Sequence, residues 1–203
     1  MAISNGYSTL AEAKARLGIT DTVDDAVLEA VVEAVSRWID NFCNRRFYRN
    51  SSDETRYYTA RYSDLLDLND DIGSITTLKT DDDGDRSYDE TWATTDYDLL
   101  PANATLDGKP YTRIEITPQG TKSFPVNMPK GVEIVGKFGY ATTAPDAINE
   151  ACLLQTSRVF RRKDAPFGIA GAPEIGQTAV IPRLDPDVKM LLQPFVRIPV
   201  GAF

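Results

Sequence analysis

Apolar residues recur at helical spacing in two stretches far apart in the chain, with a long acidic, turn-rich stretch between them. In the first, Leu28, Val31, Val32, Val35, Trp38, Ile39 and Phe42 follow at steps of three and four. The spacing predicts an amphipathic helix over 24–42, about five turns long. Its valines are weak intrinsic helix formers, so packing must hold it, with Trp38 expected in the core. Asp21 or Thr22 is placed to cap it, and Asp24 and Asp25 suit the positive end of the helix dipole. A shorter helix precedes it. Thr9 and Glu12 have the spacing of a capping box, Leu10, Ala13 and Leu17 form a stripe, and Gly18 is placed to end it.

The second stretch starts at Pro145, which suits the first helical position. Ile148, Ala151, Cys152, Gln155 and Val159 line one face, and Leu154 and Phe160 widen it. Arg158, Arg161, Arg162 and Lys163 crowd the last turn, where positive charge favours the dipole. Glycines and prolines then punctuate 164–182, which reads as a loop or arm. A final short helix is predicted from Pro186 through Val188, Met190, Leu191 and Leu192 to Pro194.

Between these ends the period changes from helix to strand. Strands are predicted at 55–60, 72–80, 97–100, 112–116 and 132–138, kept short by Pro101, Pro110, Pro118, Pro125 and Pro129. Asp81-Asp82-Asp83-Gly84-Asp85 reads as a hairpin turn ahead of Ser87 and Tyr88. Alternation at Ile114 and Ile116, and at Val132 and Ile134, predicts an antiparallel sheet with one wet face. The fold class expected is therefore α+β: N- and C-terminal helices form a helical bundle (1–48 and 141–203), interrupted by a β-rich insertion (49–140).

Composition adds limits. An apolar fraction of 42% with 26% charge supports a packed core, and no apolar run approaches the ~20 residues of a membrane span. The first residues lack the basic and apolar regions of a signal peptide, so synthesis in the cytoplasm is the default. A formal net charge of −8 argues against nucleic-acid binding driven by the overall field. Cys43 and Cys152 fall beside apolar helical stripes and read as buried free thiols, a disulfide between them being the alternative.

The chain has no histidine, which removes Ser-His-Asp triads, Cys-His pairs and histidine metal sites. The 81–85 carboxylates read as a solvated turn, with calcium ligation the alternative. The acidic stretch of Asp64, Asp67, Asn69, Asp70 and Asp71 is read as surface. No catalytic residue, cofactor or metal site is predicted. The candidates are residues for contact with a partner or another subunit: Arg45, Arg46, Arg158, Arg161, Arg162, Lys163, Phe167, Ile169 and Ile175.

Several runs carry a resemblance. They are Thr9-Leu10-Ala11-Glu12-Ala13-Lys14 with Leu17-Gly18-Ile19, then Trp38-Ile39-Asp40 with Cys43-Asn44-Arg45-Arg46-Phe47, then Phe138-Gly139-Tyr140 with Ala144-Pro145-Asp146-Ala147-Ile148. With Arg161-Arg162-Lys163-Asp164-Ala165-Pro166-Phe167-Gly168, they make the chain resemble the head–tail connector (adaptor) proteins of tailed bacteriophages. The resemblance implies a virion protein of the neck that forms a ring, dodecameric in the particle and able to stay monomeric alone. It implies portal protein and a stopper or tail-completion protein as partners, with DNA passing through the channel without specific binding and no membrane association. The alternatives are another phage neck or tail-completion protein and, from a different class, a small hydrolase using Asp/Glu pairs.

Overall fold

The structure, a computed structural model, describes residues 2–163, 169–170, 179–180 and 184–198. The chain is α+β, and it divides into two compact units. One comprises Met1–Asn44 and Ala144–Arg197, the other Arg45–Thr143 and Ile198–Phe203.

The first unit holds the helices α1 (Leu10–Leu17), α2 (Asp25–Cys43), α3 (Asp146–Arg161) and α4 (Pro186–Leu192), the last running into a 3-10 turn at Gln193–Phe195. The capping box forms as the sequence predicts. The Thr9 hydroxyl accepts from the Glu12 N–H at 3.2 Å, and the Glu12 carboxylate accepts from the Thr9 N–H at 2.7 Å. Gly18 ends α1 in the left-handed conformation at φ 73°. The cap of α2 differs from expectation: Asp24 occupies the N-cap position but makes no side-chain cap bond, while Asp21 accepts from the Val23 N–H. Pro145 is likewise the N-cap residue of α3 rather than its first helical residue.

The α2 stripe splits on burial. Leu28, Val32, Val35, Ile39 and Cys43 are buried, whereas Val31, Trp38 and Phe42 are only half-buried. Trp38 is therefore not a core residue; its ring stacks on Phe42 one turn on, centroids 5.7 Å apart. Facing α2, α3 buries Ile148, Ala151, Cys152, Gln155, Thr156 and Phe160, while α4 adds Val188 and Leu192. Both cysteines are free and buried. Ser36, also buried, donates to the Val32 carbonyl and accepts from the Tyr7 N–H at 3.0 Å, so its hydroxyl is satisfied inside the core.

The second unit is built on an antiparallel sheet of β1 (Glu54–Tyr58), β2 (Leu65–Thr80), β3 (Glu90–Thr91), β4 (Tyr97–Leu100), β5 (Tyr111–Ile116) and β6 (Val132–Phe138). The order is β1-β6-β2-β5-β4, with β3 also paired to β2. Registers such as Leu66↔Ile114, Leu78↔Ile134 and Tyr58↔Val132 align the apolar positions on one face. That face packs with Trp92 and Phe124, whose rings stack at 4.5 Å. The Trp92 indole N–H donates to Thr80 at 3.2 Å.

Two expectations fail here. β2 begins seven residues before the predicted strand, and the acidic stretch lies largely within it, with register shifts between Asp67 and Ile72. Asp71 is buried, not surface. The loop after β2 also differs from a freely solvated turn, because Asp81 is buried and accepts from the N–H groups of Gly84 (2.7 Å) and Arg86 (3.0 Å). Most of the predicted 164–182 arm lies outside the described residues. Within it, β7 (Ile169–Ala170) pairs antiparallel with β8 (Ala179–Val180).

Candidate interaction surface

The arginines after α2 are struts. Arg45 faces buried Asp71 at 3.5 Å and lies over the Tyr140 ring. Arg46 pairs with Glu54 at 3.0 Å, donates to the Phe138 carbonyl at 2.6 Å and covers Tyr48. Arg49 donates to the carbonyls of Tyr140 (2.7 Å) and Gly139 (3.3 Å), and its burial lowers its pKa despite Asp71 nearby. Arg56 lies over Phe138 and pairs with both Glu54 and Asp70. Burial pushes the Glu54 carboxyl up, but Arg56 and Arg46 outweigh it and hold the pKa below its ordinary value. Tyr58 donates to Asp70 at 2.8 Å, and burial followed by the Asp70 charge drives its pKa upward. These charge pairs and hydrogen bonds tie together the chain around β1, β2 and β6.

The basic end of α3 is also partly committed. Arg158 reaches Asp185, the N-cap residue of α4, at 3.5 Å. Lys163 pairs with Asp24 at 2.5 Å and covers the Phe160 ring. Arg162 is half-buried, and Arg161 is exposed. Ile169 stands in β7 opposite Val180, while Phe167 and Ile175 lie outside the described residues. Of the sequence candidates, Arg45 and Arg46 belong to the sheet unit, and Arg158, Arg161, Arg162 and Lys163 to the helical unit.

Among the described residues, the sheet unit carries hollows at two places of interest. One of about 420 Å³ is lined by Tyr57, Tyr58, Thr59, Arg61, Asp67, Asn69 and Asn127. Asp67 is the one carboxylate among them, so this hollow offers no carboxylate pair for acid–base hydrolysis. A smaller hollow of about 170 Å³ lies along the 80–90 loop beside Asp82, Asp83, Asp89 and Glu90. Asp81, Asp83 and Asp85 bring carboxylate oxygens within 4.8 Å of one another. Both Asp81 oxygens already accept backbone N–H bonds, which accounts for that convergence through the turn itself.

Residues 7–73 match the family model of phage gp6-like head-tail connector proteins.

The resemblance drawn from the sequence therefore stands, and the matched segment takes in α1, α2, β1 and the first half of β2. It includes the full arginine–carboxylate network from Arg45 to Asp71. Among curated proteins nothing matches significantly. Solved structures with a similar fold include a chain in the neck of an empty gene transfer agent (GTA) particle computed with C6 symmetry, at 19% identity and a TM-score of 0.62. A chain in the neck of the native GTA particle computed with C12 symmetry gives 19% and 0.61, as does one in the native GTA virion. In each case the similarity covers 100% of this chain and 96% of the other.

Sequence reasoning missed Glu54, Arg56, Asp70 and Asp71 as parts of one network. The network had little signal along the chain, since Arg45 and Arg46, then Glu54 and Arg56, then Asp70 and Asp71 come from three separate segments.

Proposed function

We propose that this chain is a head–tail adaptor: a structural, non-catalytic neck protein that forms a ring under the portal of a tailed-phage-like particle. The observation that carries the reading is the joint one: a connector-family match over α1 to β2, and a fold that corresponds over the whole chain to neck proteins. Necks computed with C6 and C12 symmetry support a cyclic assembly, with a dodecamer as the natural count. The helices at the two ends form the bundle that serves as ring body, and the sheet unit faces outward or toward a neighbour. The 164–182 segment and the C-terminal helix dock onto portal protein, and the opposite rim receives a stopper or tail-completion protein.

An acidic chain suits a channel that releases DNA rather than gripping it. Weak DNA binding even at low salt is expected, and tight binding would count against this part of the reading. The main test is cryo-microscopy of particles together with pull-down by portal protein. A ring of this chain below the portal is the expected outcome. A chain that neither enters particles nor binds portal protein would overturn the proposal.

A further inference from the structure

The segment ahead of α1 is anchored on either side of Gly6. Ser4 and Asn5 donate their N–H groups to the Glu33 carboxylate at 3.3 and 3.4 Å. The Asn5 carbonyl accepts from Arg37 Nη2 at 2.9 Å. The Tyr7 N–H donates to Ser36 Oγ at 3.0 Å, and the Tyr7 carbonyl accepts from Asn149 Nδ2 at 2.8 Å. Between these anchors stand the Asn5 side-chain amide and the Gly6 N–H, neither of which has a hydrogen-bond partner among the described residues.

We propose that Asn5-Gly6 is a self-modification site, at which the Asn5 side-chain amide is lost through a cyclic imide and Arg37 promotes the ring closure. The Gly6 nitrogen attacks Asn5 Cγ and forms a C–N bond. The Gly6 proton passes to the side-chain nitrogen, which leaves as ammonia, and a five-membered succinimide remains. Water then adds to either imide carbonyl. Breaking the newly formed C–N bond gives aspartate. Breaking the original peptide bond gives isoaspartate, with the main chain running through Cβ and Cγ. Water is the one co-reactant.

Three features select this pair. Asn5 alone of the eight asparagines precedes a glycine, and a residue without a side chain opposes the closure least. Packing keeps that glycine in place: a Cβ at Gly6 would collide with Ile3 Cγ2 and press on Val32 Cγ1 at 3.1 Å. Second, the attacking nitrogen is uncommitted. At the two Asp-Gly pairs it is engaged, since the Gly84 N–H donates to Asp81 at 2.7 Å and the Gly108 N–H to the Thr105 carbonyl at 3.4 Å. Third, loss of the Gly6 proton spreads negative charge onto the Asn5 carbonyl oxygen, the other end of the same amide. Arg37 already donates to that oxygen, so its hydrogen bond strengthens as the ring closes. Pairing with Glu33 at 3.2 Å and Asp40 at 3.0 Å holds the guanidinium there, while sharing its charge.

Isoaspartate would insert one extra backbone carbon between the anchors on Asn5 and Tyr7, loosening this segment from α2 as the protein ages. The inference concerns the helical unit alone and stands apart from the neck reading.

The test is to age the purified chain in mildly alkaline buffer and map it by peptide mass spectrometry, with electron-transfer fragmentation to separate aspartate from isoaspartate. Both products are expected at residue 5, isoaspartate in excess, with a rate that rises with pH and the other asparagines unchanged. Asn5→Gln, which would have to close a six-membered ring, is the blank and is expected to keep its amide. Arg37→Met is expected to slow the conversion about two- to tenfold, the worth of one hydrogen bond gained in the transition state, and Arg37→Lys to recover part of the rate. Loosening alone would speed the reaction in Arg37→Met, so an unchanged or faster rate overturns the role of Arg37. The isoaspartyl product is expected to melt below Asn5→Asp, which has the same charge on an unaltered backbone, and equal melting overturns the loosening. Aspartate without isoaspartate overturns the cyclic imide. An intact Asn5 in the folded chain, after the chain in urea has converted, overturns the site.

Discussion

Replacing Gly139 by alanine should destabilise the sheet unit far more than the same change at Gly18 destabilises the helical unit, though both glycines have positive φ. Gly139 sits at φ 122°, where residues 139–141 cross residues 46–49. A Cβ there would meet the Tyr48 carbonyl oxygen at 2.1 Å and the Arg49 Cα at 2.8 Å, both backbone atoms. Relief needs a shift of more than an ångström in a segment held by hydrogen bonds from Tyr140 to Arg46 (2.9 Å), Ala141 to Phe47 (3.2 Å) and Arg49 to Ala141 (3.0 Å). Backbone strain at such a φ costs about 1–3 kcal/mol, and weakening two of these bonds adds about 1 kcal/mol each. The expected loss is about 3–5 kcal/mol. Gly18, at φ 73° with nothing within 4 Å of a Cβ, should lose only about 1 kcal/mol from the left-handed conformation. At about 2–4 °C per kcal/mol for a chain of this size, the melting shifts should be roughly 6–20 °C and 2–4 °C.

Because the two units need not melt together, each needs its own probe. The two tryptophans provide this, Trp38 in the helical unit and Trp92 in the sheet unit. Urea titration followed by fluorescence in a Trp38→Phe background reports the sheet unit alone. A Gly139→Ala loss within about 1 kcal/mol of wild type, or equal to that of Gly18→Ala, would refute the close-approach argument.

Three further outcomes are expected. Asp71→Ala strands half-buried Arg45, so a loss of about 3 kcal/mol in the same urea titration is expected, and Asp71→Asn should lose less. The acid limb of stability should trace to three carboxyls whose folded pKa values are depressed. Glu12 is held down by the Thr9 N–H; Glu54 by Arg56 and Arg46 against its burial; Asp81 by the Gly84 and Arg86 N–H groups against its own. A depressed pKa gives stability that is complete above the ordinary value and lost as pH falls through the folded one, so the melting temperature should hold from pH 7 to about 5 and drop below about 4. The triple variant Glu12→Gln, Glu54→Gln, Asp81→Asn should flatten that drop, and an unchanged acid limb would rule the assignment out. Finally, Cys43 and Cys152 should resist a maleimide in native buffer and react fully in urea, since both thiols are buried; rapid native labelling by mass spectrometry would contradict their place in the core.

Local chemistry was legible where its partners are local. The Thr9–Glu12 box, the Gly18 stop, the β6 alternation and the Pro186 start all depend on residues a few positions apart, and each stands where the pattern put it. Residues 64–71 defeat the same approach. Leu66 and Leu68 alternate with Asp67 and Asn69 as a strand requires, but aspartate and asparagine are poor strand formers and mask the period. What settles the strand is pairing with β5, through Leu66↔Ile114, contributed by a residue far along the chain. Burial of Asp71 likewise depends on Arg45, which the chain alone gives no reason to place opposite it.

The α2 pattern was read too simply for a related reason. A list of apolar residues at steps of three and four says that a helix has an apolar side, but not how many contacts that side must serve. Leu28, Val32, Val35 and Ile39 already complete the arc that the helical unit buries. Val27, Ala30 and Ala34 lie outside that arc and are exposed, where the two alanines serve as strong helix formers rather than as core. On that account a polar replacement such as Ala30→Lys should change the melt of an isolated chain by no more than about 0.5 kcal/mol. If the isolated chain instead lost more than about 1 kcal/mol, the face would be part of the fold and the division between the two arcs would be wrong.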